Sequence, residues 1–467
     1  MKSQLLAGTG RADITPAPGT PQGGWGAQIH TRGVAADMPF YATALALVED
    51  DSPVIIIDAD AIGFDQEWTG NIVSEISRQT GVPADRIRFS CTHTHSGPNT
   101  FRLANIAEGA DMALSYLASL PDRIAGAAWQ AFNSLRPVRV AAGSGTCGIN
   151  VNRRVRVPDG RVVVGLNPEA PADQSLRVVR CDDLDGSPVA TLVHYACHGT
   201  TIAWQSRHFT PDFPGPARMV VERELGGRCL FLQGASGDLG PREGFTGDLA
   251  VYRRLGTELG LTAAAIAAPL QTLPKRARFT RVMPSGANIA LYEYEALDPE
   301  PPRLAVISRS ISLPLKHFDE PGVMAAEIEQ LRAEAARHKQ AGDEEAFRLA
   351  SALATQAGWR AGNSRLYYGR SHTDWPVQAV RIGSIALLSV VGEPFSGLGS
   401  RIAGGSPFLH TLFSGYSNGG FGYIPDRSAY GEGGYEIEAT PFSQEAGDLL
   451  VSQGIAILNE LFHKDTA

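Results

Sequence analysis

Short apolar runs rich in β-branched residues recur along the chain at 44–48, 54–58, 87–91, 138–142, 162–164, 176–180, 190–197, 229–233, 278–283, 306–313, 377–382 and 385–391. Their length and composition predict strands. Several lack polar alternation, which predicts strands buried on both faces. Between them apolar residues return at helical spacing over 66–80, 112–135, 215–225, 249–268, 320–357 and 443–462. This interleaving predicts an α/β fold, with large mixed β-sheets flanked by helices. The stretch 320–357 is rich in Ala, Glu and Arg but poor in large apolar residues, so an exposed helical excursion on the rim is expected. No repeat, low-complexity tract or linker divides the chain, and 1–467 reads as a single domain.

Composition narrows the class of molecule. Hydrophobic residues at 43% and charged residues at 19% match an ordinary globular protein. The net charge of −8 comes with no basic stripe that could neutralise a phosphate backbone, so no nucleic-acid partner is expected. The opening Met1-Lys2-Ser3-Gln4-Leu5-Leu6 turns polar too soon for a signal peptide, and no apolar run is long enough for a transmembrane segment. Cys91, Cys147, Cys181, Cys197 and Cys229 are an odd number lying mostly in apolar runs, as expected of reduced core thiols in a cytoplasmic protein. None has the spacing of a cysteine–histidine zinc motif.

The chemistry-bearing residues follow the apolar runs. Thr92-His93-Thr94-His95-Ser96-Gly97-Pro98 follows the run ending at Cys91, His198-Gly199-Thr200-Thr201 follows Cys197, the glycine-rich 234–241 follows Gln233, and Gly392-Glu393-Pro394 follows Val391. Ligand sites of open α/β sheets lie outside the carboxyl ends of strands. His93 and His95 stand at i and i+2, which on a strand share a face. His93, His198 and Glu393 would together form a two-His-one-carboxylate zinc set with a coordination position left open. Each residue also has a plainer reading: a hydrogen-bonded polar pair for His93 and His95, a core imidazole on a backbone carbonyl for His198, and a carboxylate at a helix N-terminus for Glu393. The segment 415–436 mixes glycine with Tyr416, Tyr423, Tyr430 and Tyr435, a pattern of tight backbone around exposed rings or of an irregular surface loop.

With these motifs the chain resembles the N-terminal catalytic domain of the neutral (non-lysosomal) ceramidase family. The resemblance runs from Gly8-Thr9-Gly10-Arg11-Ala12-Asp13-Ile14-Thr15-Pro16 through 92–98, Asn152-Arg153, 198–201, Gly237-Asp238 with Pro241, Gly392-Glu393 and 415–435. It implies one zinc ion held by His93, His198, Glu393 and Tyr423, with His95, Arg153 and Tyr435 beside the reacting amide. The chain departs from the family in two places. Gly240 stands where the family's Gly-Asp-x-Ser-Pro string carries a serine assigned as nucleophile, and the sequence stops near 467 without the C-terminal β-sandwich or the signal sequence of secreted ceramidases.

These features together lead to an expected cytoplasmic zinc hydrolase. It would cleave a carboxylic amide or related ester of a small-molecule or N-acyl substrate through zinc-activated water, with no serine nucleophile. His95 would be general base and then general acid, Tyr423 would stabilise the oxyanion, and Arg153 and Tyr435 would orient the substrate. The rival expectations are a true ceramidase acting on N-acyl sphingoid lipids, a zinc-dependent lyase, cyclase or isomerase, and a non-catalytic zinc-binding scaffold.

Overall fold

The computed structural model describes residues 4–28, 30–101, 106, 108–297 and 303–464. Met1, Lys2 and Ser3, which open the N-terminal stretch read above, lie outside them. Each predicted strand run falls on a strand, two of them overshooting by one or two residues. Eight strands form the first sheet, in the order Arg228–Gln233, Pro188–Tyr195, Ser175–Asp183, Arg136–Thr146, Leu5–Asp13, Tyr41–Glu49, Ser52–Ala59, Ile87–Cys91. The pair at each end is parallel and the interior is antiparallel. Leu5–Asp13 escapes a hydrophobicity reading because it carries Gly8 and Gly10. A Cβ at either would lie 2.2 or 2.1 Å from a carbonyl of the helix Ala110–Asn133, so glycine lets that helix lie against the strand.

The second sheet orders Leu304–Pro314, His372–Ile382, Ile385–Val390 and His410–Ser414, and the helix Ala446–His463 covers it with Leu450, Ile457 and Leu461. Leu45, Ile56, Leu192 and Leu230 of the first sheet share one apolar core with Val380, Leu387 and Leu412 of the second. Fully buried Arg88 joins the two sheets. Its Nε donates to Ser389 Oγ (2.6 Å), Nη1 to Ser90 Oγ (2.7 Å) and Nη2 to Ser414 and Ser417 Oγ (2.7 and 3.0 Å). All five cysteines are buried and unpaired, and burial pushes the Cys91, Cys181 and Cys229 thiols up. Among the described residues no helix is long and apolar enough to cross a membrane.

The excursion predicted over 320–357 is two helices, Pro321–Ala341 and Glu344–Tyr367. Gly342 ends the first in the left-handed conformation (φ 73°), and Asp343 caps the second by accepting from Ala346 N–H (3.0 Å). A glycine followed by aspartate is a stop and a start in succession, and periodicity alone runs through it. The helices bury Ile328, Ala357 and Ala361 against each other and leave most other positions exposed or half-buried.

Candidate metal centre

Four chain segments meet where the strands of the two sheets run out. Beyond Cys91, His93 adopts φ 61°, a left-handed conformation costly for a non-glycine residue, and its N–H donates to Ala61 O (2.9 Å). Thr94 forms a bridge to Gly199, and His95 N–H donates to Gly199 O (3.0 Å). A Cβ at 199 would stand 2.5 Å from His93 O, so only glycine allows the two histidine segments to touch. Glu393–Pro394 pairs in parallel with Tyr423–Ile424, and Gly237 N–H donates to Pro394 O (2.9 Å), fixing the carboxylate beside the imidazoles.

Each imidazole is oriented from behind. His93 Nδ1 meets Ile62 O (2.5 Å), His95 Nδ1 meets Gly24 O (2.8 Å) and His198 Nδ1 meets Ser236 O (3.0 Å). A carbonyl oxygen can only accept, so each Nδ1 carries the ring proton and each Nε2 presents a lone pair. Burial, the largest cause at each ring, holds all three below the usual histidine range, His95 at about 4, and so keeps them neutral. Yet His93 Nε2 lies 3.0 Å from His198 Nε2 and 3.2 Å from His95 Nε2. Three lone pairs facing one another without a proton between them repel unless a cation sits among them. Glu393 Oε2 adds a negative oxygen 3.4 Å from His198 Nε2 and 3.6 Å from His93 Nε2. Donors sharing one zinc at about 2.0–2.2 Å stand at comparable separations, so this donor set fits such an ion.

The remaining predicted residues line an adjoining wall. Arg153 Nη2 donates to Tyr423 Oη (3.1 Å) and its Nε to Glu436 Oε1 (3.0 Å). The Tyr423 and Tyr435 rings lie 5.4 Å apart. The Tyr423 hydroxyl is pushed up, first by burial and then by the Glu393 carboxylate. His93, His95 and His198 thus converge with Glu393. Tyr423 enters through its strand pairing with Glu393, and Arg153 and Tyr435 through Tyr423.

Other functional neighbours were not singled out from the sequence. Tyr416, inside the flagged glycine-aromatic segment, lies 4.2 Å ring to ring from His93, and its hydroxyl meets Ser236 Oγ (2.8 Å) and His198 Nδ1 (3.4 Å). Glu436 bridges Arg153 and Arg154, the latter through Oε2 (2.7 Å). Trp25 packs 5.3 Å from His95 and is edge-on to Trp204 and Phe245. Trp359, on the helical excursion, reaches in to 5.0 Å from the Tyr435 ring, so the excursion touches the site as well as projecting from it. Nothing in the local sequence around Trp25 or Trp359 marks either residue.

The sequence signature described as neutral/alkaline non-lysosomal ceramidase, N-terminal, matches residues 5–242, half of the chain. The chain belongs to this family. Among its relatives, neutral ceramidase A of Dictyostelium discoideum is 26% identical over 267 residues, a match that spans 51% of this chain and 36% of that protein. The ceramidase fold extends over the whole chain. The crystal structure of neutral ceramidase from Pseudomonas aeruginosa superposes at a TM-score of 0.70 and 19% identity, covering 100% of this chain and 76% of that one. A ceramidase complexed with C2 superposes at 0.66 and 19%, covering 100% and 77%.

The ceramidase serine is replaced by Gly240, and the nearest hydroxyl to its place is that of buried Thr200. A Cβ at Gly240 would meet only Arg153 Cβ (3.5 Å) and Thr200 Oγ1 (3.9 Å). Ser236 is fully buried on the far side of His198, its hydroxyl held by Gln233 Nε2 (2.7 Å) and Tyr416. Asp238 accepts from Ser396 N–H (2.7 Å) and Ser396 Oγ (2.8 Å), while its carbonyl accepts Arg153 N–H (2.8 Å). It clamps the Glu393 turn to the Arg153 strand. Asp238→Ala is expected to cost ~2–3 kcal/mol in urea unfolding, because buried donors lose a charged acceptor, and to weaken metal binding ~10–100-fold, as loss of an outer-shell support does.

Proposed function

We propose that the protein is a zinc-dependent amidohydrolase that cleaves a carboxylic amide or related ester of a small-molecule or N-acyl substrate by direct attack of water. The observation that carries this reading is the meeting of the His93 and His198 Nε2 lone pairs with the Glu393 carboxylate, with His95 Nε2 alongside at 3.2 Å from His93. His93, His198, Glu393 and Tyr423 would hold the zinc, which when bound polarises a carbonyl and lowers the pKa of water to about 7. His93 and His198 are only 2% and 0% exposed, whereas His95 is the half-buried imidazole and packs against Trp25. That exposure suits His95 to take a proton at Nε2 from the attacking water and deliver it to the leaving amine. Tyr423, held by Arg153, would stabilise the developing oxyanion together with the metal, and Arg153 with Tyr435 would orient a polar or anionic part of the substrate.

Family membership favours a second reading, hydrolysis of N-acyl sphingoid lipids, that uses the same residues and differs only in what occupies the cleft. Activity against detergent-dispersed N-acyl sphingosine, absent with short soluble amides, would select it.

Gly240 and the buried placement of Ser236 support water as the nucleophile in either case. Single turnover in oxygen-labelled water should place label in the carboxyl product, with no acyl adduct on quenched enzyme, and Ser236→Ala should keep most of its activity. An acyl group trapped on a serine or threonine would overturn direct attack, and a product without label would point to elimination or isomerisation.

A further inference from the structure

The hairpin formed by Lys275–Met283 and Ile289–Ala296 belongs to neither large sheet. It follows the helix Leu249–Ala267, which begins near the histidine segments, where Ala203 N–H donates to Thr246 O (2.7 Å), and ends where Arg180 Nη1 reaches Ala267 O (3.4 Å). At 1.5 Å per residue the hairpin leaves the body ~28 Å from that end of the helix. Its strands pair only with each other among the described residues, and nearly all of their positions are exposed.

The pairing register sorts its side chains by face. Lys275, Ala277, Phe279 and Val282 lie opposite Ala296, Tyr294, Tyr292 and Ala290 on one face, which carries the rings; Arg276, Arg278 and Met283 lie opposite Glu295, Glu293 and Ile289 on the other. Between Phe279 and Arg281 the register slips by one residue. That bulge puts Arg281 opposite Leu291 on the charged face, where unbroken alternation would have set it among the rings. The charged face satisfies itself, since Arg278 pairs with Glu293 (2.8 Å) and Glu295 (2.5 Å). The aromatic face does not: Phe279 and Tyr292 meet edge to face at 5.9 Å yet remain 52% exposed each, and Tyr294 is 72% exposed. A lone two-stranded hairpin is marginal in water, and its exposed rings are gathered on one face, the one that a partner would bury.

We propose that the hairpin is a dimerisation arm, each copy of the chain laying the aromatic face of its arm, with Lys275 at its base, on the body of a second copy. Charge selects that partner. Four cations, Lys275, Arg276, Arg278 and Arg281, stand against Glu293 and Glu295, a surplus of two positive charges, so in a chain of −8 the remainder carries −10. The arm is attracted to another copy's body and repelled by another arm, while the acidic body is repelled by an anionic membrane. Area agrees: an arm ~30 Å long and ~10 Å wide has ~300 Å² on one face. Two reciprocal arms with the surface they cover remove ~1,200 Å², the lower bound of a stable interface, whereas two arms face to face would bury about half of that.

Analytical ultracentrifugation of the full chain tests this. The unaltered protein should sediment as a dimer at micromolar concentration, and Phe279→Ser with Tyr292→Ser and Tyr294→Ser should weaken the dimer by ~30-fold or more, the effect of losing a single interface hot spot. Arg281→Glu, on the exposed charged face where it disturbs no packing, should weaken it several-fold at low salt, with the difference shrinking as salt rises. A full chain that remains monomeric at 100 μM, a dimer indifferent to both variants, or a monomer that floats with phosphatidylserine vesicles through this hairpin would overturn the proposal.

Discussion

Replacing His93 by alanine is expected to abolish both metal content and turnover. The Nε2 atoms of His93 and His198 stand 3.0 Å apart with their Nδ1 protons committed to Ile62 and Ser236 carbonyls, so each can offer only a lone pair. Removing one ring leaves a buried carboxylate and a weakened donor set, and the open position at which chemistry would occur is no longer defined. Elemental analysis of the purified variant should fall from about one zinc per chain to background, and hydrolysis should fall to the uncatalysed level. Chelation of the unaltered protein should do the same reversibly. It should also lower the thermal midpoint, since metal at a thousand times its dissociation constant contributes ~4 kcal/mol. Full activity in thoroughly chelated enzyme would defeat the zinc reading whatever the geometry.

His95→Ala should separate binding from chemistry. Its Nε2 is 3.2 Å from that of His93, near enough to be a fellow ligand, but its ring is the least buried of the three. If it is the proton carrier, the variant keeps most of its zinc while turnover falls ~10²–10⁴-fold, the range for losing a positioned acid–base group. Small imidazoles or amines added to the assay should restore part of the loss. Zinc lost from His95→Ala as completely as from His93→Ala would instead make the centre a three-imidazole site, and the acid–base role would have to move elsewhere.

Much of this was legible in the sequence because the site is built where periodicity stops. The runs ending at Cys91, Cys197, Gln233 and Val391 each predicted a strand end, and the polar residues beyond them are those that meet. Resemblance supplied Tyr423, Arg153 and Tyr435, which no spacing connects to the histidines, and strand pairing and a hydrogen bond join them to Glu393. Hidden from the sequence were long-range partners whose local context is ordinary. Glu436 is one carboxylate among many until it is found between two arginines, and Trp25 is an isolated ring until the loop around it folds onto His95. The strand Leu5–Asp13 was missed for a related reason, because its glycines serve a neighbouring helix that local reading does not see. The break at Gly342 and Asp343 was readable from capping chemistry and was obscured only by weighing periodicity above it.

The serine cage around Arg88 bears on how the protein is made. Its guanidinium is enclosed by hydroxyls from residues 301, 326 and 329 positions further along the chain. Until those residues leave the ribosome, the strand that delivers His93 and His95 can bury its cation only by leaving donors unsatisfied, at ~1–3 kcal/mol or more for each such group. Synthesis at roughly 5–20 residues per second leaves that strand waiting tens of seconds for its last partners. The stretch 5–242 carries the family signature and all three site histidines but lacks Ser389, Ser414 and Ser417, so expressed alone it is expected not to fold. A metal at this site would then be loaded late, only into chains translated past Ser417, because a nascent or prematurely terminated chain would expose its histidines without the geometry to hold an ion.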